Sequence, residues 1–275
     1  MKTIYKISAL VILFVALNSC EKVIDLELKD AKQQIVVDAN IYNGAGNNVV
    51  ILTKSGNFYE SNDFETVKNA NVIITNNTGE TYVLSEVEDG VYYNDTLDGI
   101  ALTKYNLKIS VEGKSISSNS TMPTLVPLDS ITVELSDGFV GGGGGGGGGG
   151  APSDDLFYKL FINFKDPANE QNYYRIKTSV NDFEIPDIYV IDDGLFNGLA
   201  TTLPLGIDGF VEGDVVTVNL ISIDKANYEY YRLLGENDMS AMTTSAGNPV
   251  SNVEGEDVIG VFGANAFDSK SVIIE

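Results

Sequence analysis

From position 34 onward, hydrophobic and polar residues alternate with a period of two, and this pattern constrains the fold more than any other feature. In the clearest segment, Tyr105, Leu107 and Ile109 alternate with polar residues before the chain reverses at Gly113. Successive side chains of a strand point to opposite faces, so such a segment predicts a half-buried β-strand. Short segments of this kind, separated by turns, continue almost to the C-terminus. They predict a mainly β protein.

The alternating segments form two sets. Residues 34–125 carry six or seven short strands, with turns at the spacing of an immunoglobulin-like or transthyretin-like β-sandwich. Residues 126–275 predict a second β-rich domain that contains one helix. Asp224 has the chemistry of an N-cap for a helix that begins at Lys225, and Gly235 is expected to end that helix.

A run of ten consecutive glycines, Gly141 to Gly150, interrupts the second set. Glycine has no side chain to bury and loses the most backbone entropy on folding, so the run predicts a flexible loop over 138–155. The run is interpreted as an inert insertion in a surface loop. A hinge, or a repeat that arose by slippage in the gene, stays open as an alternative.

The N-terminus has the pattern of a secretory signal peptide. Lys2 and Lys6 make the start positive, and the apolar run 7–16 is too short to span a bilayer as a stable helix. The pattern predicts a signal peptide over 1–19, with cleavage before Cys20.

Cys20 is the only cysteine of the chain, and its surroundings predict a lipid anchor. An aliphatic residue, Leu17, precedes it at −3 and a small one, Ser19, at −1, which is the pattern of a lipobox. Its thiol is nucleophilic enough to take a diacylglycerol as a thioether. We therefore expect lipidation at Cys20, attachment to a membrane through that lipid, and a tether over 20–33.

The chain is strongly acidic, with 39 acidic residues, 17 basic residues and a net charge of −22. Such a surface repels phosphate backbones and anionic lipid headgroups. The charge therefore predicts no nucleic-acid partner and no electrostatic docking to a membrane.

The sequence contains no histidine, and its one cysteine is expected to be acylated. These two facts exclude Ser-His-Asp and Cys-His catalysis, zinc sites with histidine ligands and thiolate metal sites. We therefore predict that the protein is not an enzyme. A glycosidase needs only two carboxylates at a suitable separation, so a glycan hydrolase stays open as an alternative.

One acidic turn is a candidate for a structural Ca²⁺ site. Asp192, Asp193 and Asn197 place several oxygen atoms around Gly194, and Ca²⁺ prefers oxygen ligands. The turn lacks the spacing of an EF-hand loop, and a solvated turn is the alternative interpretation. No other cofactor is predicted.

Short motifs follow one another in a fixed order along the mature chain. They are Cys20–Leu26, Ile35–Asp38, Ala70–Val72, Gly90–Tyr92, Tyr105–Ile109, Pro127–Ile131, Phe164–Pro167, Asn172–Arg175, Asp192–Gly198, Tyr228–Tyr231 and Gly260–Gly263. In this order they resemble a family of outer-membrane lipoproteins of Bacteroidota, catalogued as domain of unknown function 4249. The resemblance implies that the gene often neighbours one for a TonB-dependent outer-membrane receptor. It implies no catalytic residue.

The anchor and the resemblance together predict an outer-membrane lipoprotein. An acidic stretch after Cys20, which includes Glu21 and Asp25, favours the cell surface over the periplasmic face. We expect a non-enzymatic accessory or binding component that works with a TonB-dependent transporter. A surface glycan hydrolase and a structural lipoprotein of envelope assembly are the alternatives.

Overall fold

The computed structural model describes residues 32–56, 64–136, 157–168, 170–205, 210–240 and 249–275. The signal peptide, Cys20, most of the tether and the glycine run lie outside these residues. The predictions made for them therefore stay predictions.

The described residues form sixteen strands and one helix. The strands of the first half are β1 (Ile35–Tyr42), β2 (Asn48–Lys54), β3 (Asn71–Asn76), β4 (Thr81–Glu88), β5 (Val91–Tyr93), β6 (Lys104–Val111), β7 (Lys114–Thr121) and β8 (Leu128–Ser136). Those of the second half are β9 (Phe157–Lys165), β10 (Tyr173–Val180), β11 (Phe183–Glu184), β12 (Tyr189–Asp192), β13 (Ala200–Pro204), β14 (Val215–Ile223), β15 (Val253–Glu254) and β16 (Val258–Ile273). The helix α1 (Lys225–Ser240) connects β14 to the last two strands.

Thirteen strands form one hydrogen-bonded sheet in the order β11-β10-β14-β16-β1-β2-β5-β4-β3-β6-β7-β15, and β12 also pairs with β10. A three-stranded sheet has the order β13-β9-β8. The first half of β16 pairs with β1 in parallel, from Val258 to Asn265. Its second half pairs antiparallel with β14. The last strand therefore joins the N-terminal strands to those of the second half.

The predicted alternation is confirmed where it is clearest. Tyr105, Leu107 and Ile109 of β6 are fully buried, whereas Lys108 and Ser110 are exposed. Burial of a large apolar side chain contributes about 1.5–3 kcal/mol, so the register of such a strand is strongly specified. Strands β1, β2 and β16 pack against β3, β6 and β7 in one core cluster. The fold is thus mainly β and of the sandwich type, as the sequence predicts.

The apolar core is divided into two large clusters. The first contains residues between Ile35 and Met122 together with part of β15 and β16. The second begins at Val126 and ends with Ile274. Residues 32–275 nevertheless form one compact unit, since β16 contributes to both clusters. The division into separate domains at residues 125 and 126 stays a prediction.

Helix α1 begins as the sequence predicts and ends later. The Oδ1 atom of Asp224 accepts a hydrogen bond from the backbone N–H of Asn227 at 2.9 Å, which confirms the predicted N-cap. The prediction that Gly235 ends the helix is wrong, because the helix continues to Ser240. A Cβ atom at Gly235 would lie 3.3 Å from the carbonyl oxygen of Ile188. Close packing thus explains this glycine better than helix termination does.

Among the described residues, no helix combines the length and the apolar composition that a membrane crossing requires.

Candidate functional site

A groove of about 450 Å³ lies where β10, β14 and β16 meet the turn between β1 and β2. Ile221 of β14 is opposite Phe267 of β16, and Lys177 of β10 is opposite Asn219 of β14. Alternate side chains of a strand share one face, so these four residues project to the same side of the sheet. The residues that line the groove include Tyr42, Tyr93, Lys177, Glu184, Asn219 and Phe267.

An aromatic pair forms one wall of the groove. The rings of Tyr42 and Phe267 lie 5.6 Å apart at an interplanar angle of 86°, an edge-to-face arrangement. Burial raises the pKa of Tyr42, although the positive charge of Arg175 opposes that rise. The Tyr42 hydroxyl therefore stays protonated at neutral pH and can donate as well as accept a hydrogen bond.

The turn between β1 and β2 is held in place by side-chain hydrogen bonds. Asn43 accepts a hydrogen bond from the Phe267 N–H at 2.7 Å and donates one to the Phe267 carbonyl at 3.2 Å. Asn48 donates to the Asn94 carbonyl at 2.6 Å and accepts from the Asn94 N–H at 3.0 Å. The Gly44 N–H donates to Asp98 at 2.7 Å. These bonds hold the turn in one conformation, and a preformed surface of this kind has a low entropic cost of binding.

A charged pair forms the opposite wall. Lys177 Nζ lies 2.7 Å from Glu184 Oε1, across the hairpin formed by β10 and β11. An exposed pair of this kind adds only about 0.2–1 kcal/mol to stability. Its two side chains can therefore exchange partners with a polar ligand at little cost.

Arg175 and Asp38 lie next to this wall. The guanidinium carbon of Arg175 is 3.9 Å from the ring centroid of Tyr231, a cation–π contact between β10 and α1. Desolvation by the surrounding protein raises the pKa of Asp38, while Arg175, a hydrogen bond from Asn40 and Lys177 oppose the rise. The Asn40 amide donates to Asp38 at 2.7 Å.

The three residues that are predicted to bind Ca²⁺ are close together in sequence, but their side chains contact different groups. Asp192 accepts hydrogen bonds from the Gly194 N–H at 3.0 Å and from the Tyr228 hydroxyl at 3.2 Å. Asn197 is exposed and donates to the Glu170 carbonyl at 3.0 Å.

Asp193 is buried and holds a loop rather than facing solvent. Its Oδ2 atom accepts the Asn172 N–H at 2.9 Å, and its own N–H donates to the Asn172 carbonyl at 3.1 Å. Within the described ranges, no group of three or more acidic residues is arranged to hold a metal ion. The calcium site at Asp192, Asp193 and Asn197 stays a prediction.

The sequence matches the family model described as "Domain of unknown function (DUF4249)" over residues 21–271. The chain belongs to this family. The family resemblance drawn from the sequence motifs is therefore confirmed. No curated protein matches this DUF4249 chain.

Two solved structures are similar to parts of the DUF4249 chain. A two fibronectin type-III domain segment from chicken tenascin is 14% identical, covers 69% of this chain and 90% of its own, and has a TM-score of 0.22. A cytokine receptor complex is 11% identical, covers 70% of this chain and 85% of its own, and has a TM-score of 0.26. Both TM-scores are too low to support an argument about this chain.

Sequence reasoning does not find the groove of the DUF4249 chain. Tyr42, Lys177 and Phe267 come from strands far apart in sequence, and each looks like an ordinary strand residue on its own. The one sequence feature that marks this place is a turn rich in asparagine and glycine, directly after an aromatic residue. Such a turn is compatible with a binding loop but is far more common as a plain hairpin connection.

Proposed function

We propose that this chain is a lipid-anchored, non-enzymatic protein of the outer membrane that binds a ligand in the groove and works with a TonB-dependent transporter. The observation that carries the binding role is the groove itself. There, the Tyr42–Phe267 pair faces the Lys177–Glu184 pair over a turn fixed by hydrogen bonds. Binding sites for small ligands are concave, largely preformed, and combine apolar surface with a few placed polar groups.

An oligosaccharide is the ligand class that suits this chemistry best. The apolar face of a sugar ring can lie against aromatic side chains, while its hydroxyl groups exchange hydrogen bonds with amide and charged groups. Tyr42, Tyr93 and Phe267 supply the aromatic surface, and Asn219 with Lys177 supplies polar atoms. The volume of about 450 Å³ lies within the range of about 300–1,000 Å³ that is usual for small-molecule sites.

The proposed location and partner rest on the sequence. The lipobox predicts an anchor at Cys20, the acidic stretch after it favours the cell surface, and the family resemblance implies a neighbouring TonB-dependent receptor. A lipoprotein that holds an oligosaccharide at the mouth of such a transporter would raise the local concentration of its substrate.

Binding can be tested with a panel of neutral and carboxylated oligosaccharides and a matched pair of variants. Lys177→Gln removes the charged pair of the groove, and we expect its affinity for the tightest ligand to fall about 5- to 50-fold. Lys54→Gln is the control, since Lys54 also lies 2.7 Å from a glutamate, Glu65, and has similar exposure, but is outside the groove. Equal affinities of the two variants would contradict binding at the groove.

The same titrations separate binding from catalysis. We expect the oligosaccharide to be recovered intact after long incubation with the protein. Hydrolysis of a panel member would show instead that the chain is a surface glycan hydrolase.

Partnership can be tested by purification of the lipoprotein from mildly solubilised outer membranes. We expect a TonB-dependent barrel to be recovered in near-equal amount. Recovery of the lipoprotein alone, or with envelope-assembly proteins only, would contradict the proposed partnership.

A further inference from the structure

The guanidinium of Arg175 is incompletely hydrogen-bonded within the part of the chain that the structure describes. Its Nε atom is buried and makes no hydrogen bond with any described residue. None of the described carboxylates lies within ion-pair distance of its guanidinium. Buried polar atoms of folded proteins nearly always have a hydrogen-bond partner, so a buried guanidinium Nε atom without one is unexpected.

The other arginine of the chain shows the contrast. Arg232 of α1 lies 3.3 Å from Glu229 and 2.6 Å from Glu236, so each terminal nitrogen of its guanidinium has a carboxylate partner. Arg175 instead rests on the Tyr231 ring, which fixes the guanidinium plane without using its N–H donors. A guanidinium held in this way is preorganised for a partner that is not part of the protein.

The strand register places Arg175 at the edge of the groove. It is directly opposite Ile221 and two residues before Lys177, and both of these line the groove. Residues two apart on a strand share a face, so Arg175 and Lys177 project to the same side. The positive charge of Arg175 lowers the pKa of Tyr42, which lines the groove, and this effect agrees with a position of Arg175 at the groove edge.

We propose that Arg175 binds a carboxylate of an oligosaccharide whose sugar rings lie in the groove, which makes a uronic-acid glycan the ligand class. The inference rests on the proposed function, and adds to it the recognition of an anionic group on the oligosaccharide. A guanidinium forms two parallel hydrogen bonds with a planar carboxylate. Asp38 and Glu184 lie near the same wall, so a singly charged carboxylate is favoured over a phosphate that carries more negative charge.

The test compares an oligomer of hexuronic acid with the same oligomer after reduction of its carboxyl groups to alcohols. Isothermal titration of the purified full chain should show at least about 10-fold tighter binding of the carboxylated form. Arg175→Gln should bind both forms equally, whereas the control Arg232→Gln should keep the preference. Arg175→Lys should keep part of the preference for the carboxylated oligomer, because the positive charge remains while the planar set of guanidinium N–H donors is lost.

Three outcomes would overturn the inference. Equal binding of both oligomers by the unaltered protein would show that the carboxylate is not recognised, although the groove would still be a sugar-binding site. Failure of every neutral and carboxylated oligosaccharide to bind would remove the proposed function as well. Tighter binding of a phosphorylated oligosaccharide than of the uronic-acid oligomer would assign Arg175 to a different anion. Thermal unfolding of each variant shows that a lost preference is not a loss of fold.

Discussion

Gly260 is the residue at which the described backbone leaves least room for a side chain. Its φ is +133°, and a Cβ atom there would lie 1.9 Å from the carbonyl oxygen of Val37. Alanine would therefore force β16 away from β1 and disturb the strand that both core clusters share. We expect Gly260→Ala to lower the free energy of unfolding by more than about 3 kcal/mol, as measured by urea denaturation.

Gly79 provides the control for Gly260. Its φ is +92°, but nothing lies within 4 Å of a Cβ atom placed there. Gly79→Ala should therefore cost only about 1–2 kcal/mol, the strain of a left-handed alanine. Similar losses for the two variants would contradict the close approach of β16 to β1.

Asp192 and Asp193 differ in role although they are neighbours. Asp193 is buried and accepts the Asn172 N–H, whereas Asp192 lies nearer the surface. We expect Asp193→Ala to lower the free energy of unfolding by about 1–3 kcal/mol and Asp192→Ala to lower it less. The reverse order would contradict this assignment. A rise in the unfolding midpoint with added Ca²⁺, lost in Asp192→Ala, would support the predicted metal site.

At the level of elements, the cap of α1 ties the helix to a distant strand. One carboxylate oxygen of Asp224 accepts the Asn227 N–H at 2.9 Å, and the other accepts the Ser120 hydroxyl of β7 at 2.5 Å. We expect Asp224→Ala to lower the free energy of unfolding by about 1–2 kcal/mol. Asp224→Asn should cost less, because asparagine is an equally good N-cap. An alanine variant as stable as the asparagine variant would contradict the capping role.

The elements could be predicted from sequence where a local signal determines them. The alternation in β6 reports burial, and the Asp224 cap depends on residues within one turn, so both predictions are confirmed. The role of Gly235 could not be predicted from the sequence, because its neighbour Ile188 comes from a distant part of the chain. The groove depends on the pairing of β1 with β16, and nothing in either segment specifies that partner.

At the scale of the whole molecule, the titratable groups predict a simple dependence of stability on pH. The chain contains no histidine, so few groups titrate near neutral pH. Burial raises the pKa of Tyr92 and Tyr105 above the usual value of 10.0. Above pH 10 the folded state keeps protons on these tyrosines that the unfolded state releases. The stability that they contribute is therefore fully present below pH 10 and is lost as pH rises further.

We therefore expect the free energy of unfolding to fall above about pH 10. Desolvation raises the pKa of Asp38, so the stability that Asp38 contributes is present below its unfolded pKa and is lost as pH rises through its folded pKa. On the acid side, hydrogen bonds from the N–H groups of Gly90 and Asn69 lower the pKa of Glu86. The stability that Glu86 contributes is present above its pKa in the unfolded state and is lost as pH falls through its lower pKa in the folded state. Urea denaturation across the acid and alkaline ranges checks these changes, and a free energy of unfolding that stays constant above pH 10 would contradict the account.

Hydrogen–deuterium exchange tests the central claim that the groove binds a ligand. The purified chain is measured with and without saturating amounts of the tightest-binding oligosaccharide of the panel. We expect the ligand to slow exchange in the turn Asn43–Asn48 and in the β10–β11 hairpin, and to leave the β6–β7 hairpin at Gly113 unchanged. Protection confined to other parts of the chain, with this turn and the β10–β11 hairpin unaffected, would contradict a binding site in the groove.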